Sequence, residues 1–341
     1  MNPTIEHLVS TIIPVYNRPQ LLRVAVDSVL SQAYRPIEIL IVDDGSTDDT
    51  PRVAAALAAE HPNVISWLRI ENSGPGPARE AGRVRARGEF LQYLDSDDRL
   101  LPGKFAAQVA ALRRRPDCGI AYGTTRLIDE DGRVLLSPFK WTGEERSQLF
   151  PGLLVDRWWC THTPLYRRSL SDALGPWSDL RWSQDWEYDA RAGARLTPLV
   201  RCNAEVSEHR QHDGIRQTSN ADWERDPRRL RNRIQLLQAI WQAAAGARVS
   251  ETAPERQHFA RWAFALARRC AAAGLNHEMD VALGLAQQAA GHTGQGARGV
   301  TAFRWLSQSI GAVASGRIAR TVESLGWQPG HSTLPQSFSS C

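Results

Sequence analysis

The chain has 341 residues, room for about two domains, and its 42% hydrophobic and 23% charged residues exclude a largely disordered protein. A net charge of +4 is too small to indicate a nucleic-acid partner. No run approaches 18 consecutive apolar residues, and the first residues lack a basic stretch followed by an apolar one, so neither a membrane-spanning helix nor a secretory leader is expected.

In chain order, residues 8–13 read as an apolar strand. Asn17 is placed to cap a helix with Pro19 in its first turn and Leu22, Ala25, Val26, Val29 and Leu30 as its apolar stripe. Residues 37–42 follow as a strand, 50–59 as a helix, 64–70 as a strand and 77–87 as a helix. Then come a strand over 89–94, a helix over 102–114 and a strand over 119–128. Apolar strands separated by helices predict βαβ units and a mostly parallel central sheet covered on both faces, an α/β fold. Asp129-Glu130-Asp131-Gly132 predicts a turn into a hairpin.

From 133 to about 220 the pattern is irregular and aromatic. Six of the twelve tryptophans (Trp141, Trp158, Trp159, Trp177, Trp182 and Trp186) fall between 141 and 186. Residues 225–290 have helical spacing, 291–299 read as a glycine-rich linker, and 300–325 predict an amphipathic helix with Phe303, Leu306, Ile310, Val313 and Ile318 apolar. The Ser/Pro/Gly-rich end predicts a disordered tail over 326–341. Five scattered cysteines with no Cys-x-x-Cys pair argue against a zinc site or a disulfide framework and favour a reduced, cytoplasmic protein. Lys104 and Lys140 are the only lysines among 41 basic residues, which reads as a compositional bias.

Ligands of open α/β sheets bind beyond the carboxyl ends of the strands. Pro14-Val15-Tyr16-Asn17 ends the first strand, Asp43-Asp44-Gly45-Ser46-Thr47-Asp48 the second, and Asp95-Ser96-Asp97-Asp98 the fourth. Alone, the first acidic segment would serve as a turn and helix cap, and the second as a solvated loop. Two acidic clusters on one sheet edge repel unless something positive sits between them, and a hard divalent cation with oxygen ligands would satisfy both.

These segments, with Ser28-Val29-Leu30-Ser31-Gln32, Asn72-Ser73-Gly74, Ala78-Arg79 and Ala86-Arg87-Gly88-Glu89-Phe90, resemble glycosyltransferase family 2 in order and spacing over the first ~220 residues. The resemblance implies the GT-A fold: a catalytic domain over 1–220, with a nucleotide-binding half at 1–130 and an acceptor-binding half at 131–220, followed by a helical region over 221–325. It implies that Pro14, Tyr16 and Asn17 border the nucleotide and that Asp44 accepts the uracil imide proton. Arg79 is implied to hold the nucleotide or steady the acidic floor, with a structural salt bridge as the alternative. Asp95 falls at the ribose or a metal-bound water. Asp97 is the main ligand of Mn²⁺ or Mg²⁺, and Asp98 the alternative ligand or a donor-sugar contact. Glu80 departs from the family, which has asparagine after the arginine.

Further on, Ser183-Gln184-Asp185-Trp186-Glu187-Tyr188-Asp189 resembles the family's acidic pair with Gln184 in place of the first acid, which leaves Asp185 as the general base. Burial among tryptophans is expected to raise its pKa, and at helical spacing Asp189 shares its face while Glu187 does not. His212, in His209-Arg210-Gln211-His212-Asp213-Gly214, is a candidate metal ligand or diphosphate contact. Trp182 and Trp186, flanking Asp185, are the candidate sugar contacts, with core packing as the alternative.

The function expected from the resemblance is inverting transfer of a sugar from a nucleotide diphosphate sugar, with a UDP-sugar favoured, to a hydroxyl of a glycan, lipid-linked or other acceptor. Alternatives are a nucleotidyltransferase, which would need a glycine-rich phosphate loop after the first strand, and a non-catalytic nucleotide-sugar-binding protein. The arginine-rich run 225–233 reads as a solvated helix face or a contact to anionic lipid at the inner face of a membrane. The helix over 300–325 reads as packing on the domain or on a second copy, as in a homodimer through the C-terminal helices, with an interfacial helix as the alternative.

Overall fold

The computed structural model describes residues 3–211, 226–291 and 295–324. They divide into two compact units, one over 3–149, 157–192 and 196–211, the other over 150–156, 193–195, 226–291 and 295–324. The first unit holds the sheet.

Its elements begin with β1 (Ile5–Val15), α1 (Pro19–Leu30), β2 (Ile37–Asp43), α2 (Thr50–Glu60), β3 (Ile65–Arg69), α3 (Pro75–Arg85) and β4 (Gly88–Tyr93). They continue with β5 (Arg99–Leu100), α4 (Lys104–Arg114), β6 (Ile120–Ile128), β7 (Val134–Leu136), β8 (Leu165–Arg167), α5 (Arg168–Leu174), α6 (Gln184–Ala194) and β9 (Leu199–Arg210). The nine strands form one sheet in the order β3-β2-β1-β4-β8-β6-β9-β5, with β7 paired to β6. The β3-β2-β1-β4 block is parallel throughout. Beyond it the sheet is mixed: β8 is antiparallel to both β4 and β6, while β9 runs parallel to β6. The predicted hairpin is the antiparallel β6–β7 pair.

Every residue of β2 is buried, as expected for a strand covered on both faces. Each fully buried Ile or Val contributes about 1.5–3 kcal/mol of transfer free energy. The stripe Leu22, Ala25, Val26 and Val29 fixes α1 on that core. Register aligns the strand ends: Val15 faces Asp43 on β2, and Ile12 faces both Leu40 and Tyr93. The three loops that follow β1, β2 and β4 therefore leave the sheet along one edge.

Two glycines bring α3 close enough to project its side chains there. A Cβ at Gly82 would lie 2.5 Å from Ile12 Cγ2, and one at Gly76 would lie 2.1 Å from the Ser178 carbonyl oxygen. Both distances are far inside van der Waals contact.

Asn17 does not cap α1. It takes a left-handed φ of 51° and bonds across to the next loop, and the cap position falls to Arg18, without a side-chain cap bond. Asparagine tolerates this conformation better than most residues, which is why its cap signal misled here.

The second unit contains α7 (Pro227–Gly246), α8 (Pro254–Ala272), α9 (Asn276–Ala290), α10 (Gln295–Ile310) and α11 (Ala312–Ser324). Asp226 caps α7 by accepting the Arg228 amide at 2.9 Å. Trp241 of α7 stacks on Phe259 of α8 at 5.3 Å. The expected linker over 291–299 is already helical from Gln295. The single helix expected over 300–325 is two, separated by Gly311 at a φ of 86°, a conformation that favours glycine. Its expected apolar stripe divides as well: Phe303 is buried, whereas Ile310, Val313 and Ile318 are exposed. Arg231 of the basic run pairs with Glu278 at 2.9 Å. Cys118, Cys160, Cys202 and Cys270 are buried. Among the described residues, no helix is long and apolar enough to cross a membrane.

Candidate active site

The loops after β1 and β2 are tied together. The Asn17 amide donates to Ser46 Oγ at 3.0 Å, and the Thr47 amide donates to Asn17 Oδ1 at 2.8 Å. Tyr16, beside them, is exposed. Asp43 is fully buried and accepts the Ser46 amide at 3.0 Å, while Arg69 Nε lies 3.4 Å from its other oxygen. Asp44 is buried too, with Oδ1 accepting the Ser73 amide at 2.7 Å and Oδ2 the Gly74 amide at 2.9 Å. Burial raises its pKa, and those two amides and Arg181 offset only part of the effect. Arg181 itself reaches Asn72 Oδ1 at 3.3 Å, and the Asn72 side chain in turn donates to the Asp44 carbonyl oxygen at 2.9 Å.

The acids after β4 take separate partners. Arg18 Nη1 pairs with Asp97, and Arg79 Nη2 pairs with Asp95. The Asp95 and Asp97 side chains keep some solvent access, at 31% and 18%. Asp98 is buried: it accepts the Arg210 amide at 3.0 Å and lies 2.8 Å from His162 Nδ1. Both imidazoles beside it, His162 and His209, hold the Asp98 carboxyl well below the usual range against the opposing effect of burial. Arginines carry positive charge to the acidic loops. Arg79 is the most confined of them. It is 3% exposed, its guanidinium lies 5.0 Å from the centre of the Trp177 ring, and its Nε and Nη1 have no hydrogen-bond partner among the described residues.

Asp185 stands in the first turn of α6, just after Ser183 with its left-handed φ of 59°. Its Oδ2 accepts Arg157 Nη1 at 2.8 Å and Thr161 Oγ1 at 3.0 Å, and its Oδ1 accepts the Trp186 amide at 2.8 Å. Asp189, one turn on, shares that face as the spacing predicts. Its Oδ2 accepts Arg157 Nε at 2.8 Å and Trp159 Nε1 at 2.8 Å, and its Oδ1 accepts the Tyr166 hydroxyl at 2.6 Å. Glu187 turns instead to Arg191 at 2.7 Å.

The expected rise in the Asp185 pKa is not found. Burial does push it up, but Arg157 and then Arg79, with the Thr161 and Trp186 bonds, outweigh burial and hold it below the usual value. The tryptophans nearby are not its whole environment; a buried cation is part of it.

Gln184 is buried, with Oε1 unpartnered among the described residues. Trp186 is buried and Trp182 half-buried. Trp158, Trp159 and Trp177 are core residues: the first two pack at 4.4 Å, and Trp177 stacks on Tyr188 at 4.2 Å. The core reading therefore holds for these three. His212 lies outside the described residues. Pro14, Tyr16, Asn17, Asp44, Arg79, Asp95, Asp97 and Asp185 all belong to the sheet unit. Arg79 joins the last of these groups, since it bonds Asp95 and its charge acts on Asp185.

Sequence reading missed Arg18, Arg157, Thr161 and Arg181 as members of the site. Arg18 stood inside a quoted motif, and its charge beside two acidic loops was the available signal. Nothing local marks Arg157, whose partner lies 28 residues away.

The architecture is that of the GT-A fold. A crystal structure of Staphylococcus aureus TarS 1–349 in complex with UDP-GlcNAc superposes with a TM-score of 0.64 at 16% identity, covering 96% of this chain and 94% of that one. The mannosyltransferase PcManGT from Pyrobaculum calidifontis, in complex with GDP-Man and Mn²⁺, gives 0.52 at 18% identity, covering 95% and 88%. Residues 10–175 match the family model described as glycosyl transferase family 2. This segment is a glycosyltransferase family 2 domain. Chondroitin synthase of Escherichia coli is 33% identical over 147 residues, 43% of this chain and 21% of that protein. The matches cover 19–21% of the length of this and several other curated relatives.

Proposed function

We propose that the chain transfers a sugar from a nucleotide diphosphate sugar, with a UDP-sugar as the favoured donor, to an acceptor hydroxyl of a cell-surface polysaccharide, glycolipid or other glycoconjugate, with inversion. The catalytic domain spans 1–220 and the helical region 221–325. Arg79 carries this reading. A guanidinium buried with two unpartnered nitrogen groups is costly, and an anionic ligand such as a diphosphate would satisfy it. It bonds Asp95, and its charge acts on Asp185.

Pro14, Tyr16 and Asn17 border the nucleoside, and Asp44 accepts the uracil imide proton through its remaining lone pairs. Asp95 and Asp97 offer hard carboxylate oxygens with solvent access, a donor set that fits Mn²⁺ or Mg²⁺ held by one or two carboxylates and the substrate's phosphates. Bound there, the ion would supply Lewis-acid neutralisation of the leaving diphosphate. Asp185 takes the proton of the attacking hydroxyl as the oxygen bonds to the anomeric carbon and the diphosphate leaves from the opposite face. Thr161 and the Trp186 amide fix the Asp185 carboxylate, and Arg157 keeps it ionised and ready to accept. Gln184, Trp182 and Trp186 contact the sugars. Asp98 acts from behind the metal-binding loop, and His212 is the candidate diphosphate contact or metal ligand.

The test is a donor screen that reads nucleoside diphosphate release across UDP-, GDP- and dTDP-sugars with Mn²⁺ or Mg²⁺, on the wild type and on Asp185→Asn. Release with a UDP-sugar that Asp185→Asn abolishes, with UDP binding retained, is expected. Transfer that survives in Asp185→Asn removes it as the base.

A further inference from the structure

Cys160, His162 and His209 converge inside the sheet unit. One ligand atom from each, a thiol sulfur and two imidazole nitrogens, lies within 4.8 Å of the other two. Cys160 is 1% exposed and His162 fully buried. A tight turn presents them together: the Cys160 amide donates to Thr163 Oγ1 at 3.1 Å, and the Thr163 amide donates to the Cys160 carbonyl oxygen at 3.0 Å. Neither ring nitrogen of His162 makes a hydrogen bond of normal geometry with a described residue, although Nδ1 lies 2.8 Å from Asp98 Oδ2. His209 Nδ1 lies 3.2 Å from the other oxygen of the same carboxylate.

Nε2 of the fully buried His162 has no hydrogen-bond partner among the described residues, which is costly unless something beyond these side chains satisfies it. The His162 and His209 rings are nearly parallel, with centroids 5.9 Å apart. With Nδ1 of His162 turned to Asp98, Nε2 of that ring is the atom left to face a metal. A carboxylate behind a histidine is the common outer support of a metal-bound imidazole. One thiolate and two imidazoles suit zinc, whereas Mg²⁺ and Mn²⁺ prefer oxygen. Tetrahedral zinc holds such ligands roughly 3.3–3.8 Å apart, so shifts of about 1 Å close the cluster.

We propose that Cys160, His162 and His209 form a Zn²⁺ site, separate from the oxygen-rich site at Asp95 and Asp97, with Asp98 supporting both imidazoles. The ion ties the end of β9 to the turn before β8, and through Asp98 to the loop that carries Asp95 and Asp97. The spacing Cys-x-His with a distant second histidine is not a familiar zinc signature, which is why the cysteine pattern alone argued against zinc.

The test uses the full chain, stripped by a chelator and titrated with Co²⁺ as a spectroscopic stand-in for Zn²⁺. The expected result is one tight site per chain with a sulfur-to-cobalt charge-transfer band that Zn²⁺ bleaches. Cys160→Ser should remove the band, Asp98→Asn should weaken Zn²⁺ binding roughly 10–100-fold, and Asp97→Asn should leave the band intact. Absence of the band in the wild type overturns the proposal, and that measurement stands even where a variant fails to fold. A band that persists in a folded Cys160→Ser, or one lost in a folded Asp97→Asn, overturns it equally.

Discussion

Arg157 is the group whose removal says most about the proposed base. Replacing it by methionine keeps most of the side-chain volume and deletes the charge. Arg157 donates to Asp185 at 2.8 Å and to Asp189 at 2.8 Å from a site only 4% exposed. An ion pair at such range is worth about 4 kcal/mol at an effective dielectric of 20. Breaking a buried pair by removing one partner typically costs about 3–5 kcal/mol. Asp189 keeps Trp159 and Tyr166, and Asp185 keeps Thr161 and the Trp186 amide, so what both lose is the shared charge.

The sign follows from the depressed pKa of Asp185. In the wild type its ionisation favours the fold above the unfolded-state value near ~3.9, and this contribution is lost as pH falls through the lower folded value. Without Arg157, burial, already the largest single influence, loses its main opponent and the pKa rises. The acid limb of kcat/KM against pH should then move up by one unit or more. Urea unfolding at pH 7 should show a loss of about 3 kcal/mol that shrinks towards pH 4, as the orphaned carboxyl protonates in both states. An acid limb in Arg157→Met that superposes on the wild type, with unchanged stability, would refute the assignment of Arg157 as the group that keeps Asp185 ionised.

Three further outcomes follow from the same structure. Asp97→Asn should abolish the metal dependence of nucleoside diphosphate release and lower its rate at least 100-fold, read by titrating Mn²⁺ into the release assay. Gly82→Val should destabilise the sheet unit by about 1–3 kcal/mol in chemical denaturation, because even its Cβ would meet Ile12 Cγ2 at 2.5 Å. Lys104 is fully buried with Nζ on the carbonyl oxygens of His162 and Thr163, and burial lowers its pKa to about 7. Between pH 7 and the unfolded value near ~10.4 the unfolded chain binds more protons, so wild-type stability should rise with pH across that window relative to Lys104→Met. A flat difference between the two would show that Lys104 stays charged in the fold.

The parallel half of the fold was legible because a strand covered on both faces reads as a continuous apolar run, as 37–42 does, and because helices of ordinary length separate such runs. The acidic loops were legible for a related reason. Once the strands are placed, the rule that ligands bind at their carboxyl ends names Asp44, Asp95 and Asp97 without any side-chain contact. The mixed half was not legible. β8 is three residues long and gains its identity only by pairing with β4 and β6, so no local period marks it. The pKa of Asp185 was misjudged for the same reason. Its sequence neighbours are tryptophans, but its spatial neighbour is an arginine 28 positions earlier, and electrostatics follow space.

The arginine bias acquires a physical role once its members are placed. Arg18, Arg79 and Arg157 each engage a different acid of the candidate site, Asp97, Asp95 and Asp185. An arginine stays charged when buried, whereas the one fully buried lysine of the unit has its pKa pulled down to about 7. A site that pairs buried or half-buried carboxylates with fixed cations therefore favours guanidinium over ammonium at the buried positions. The three arginines then divide by exposure. Arg157 and Arg79 are almost wholly enclosed, which suits fixed countercharge. Arg18 keeps 25% of its side chain in solvent and sits on the acid proposed to bind the metal, so it is the one that can yield when a cation arrives.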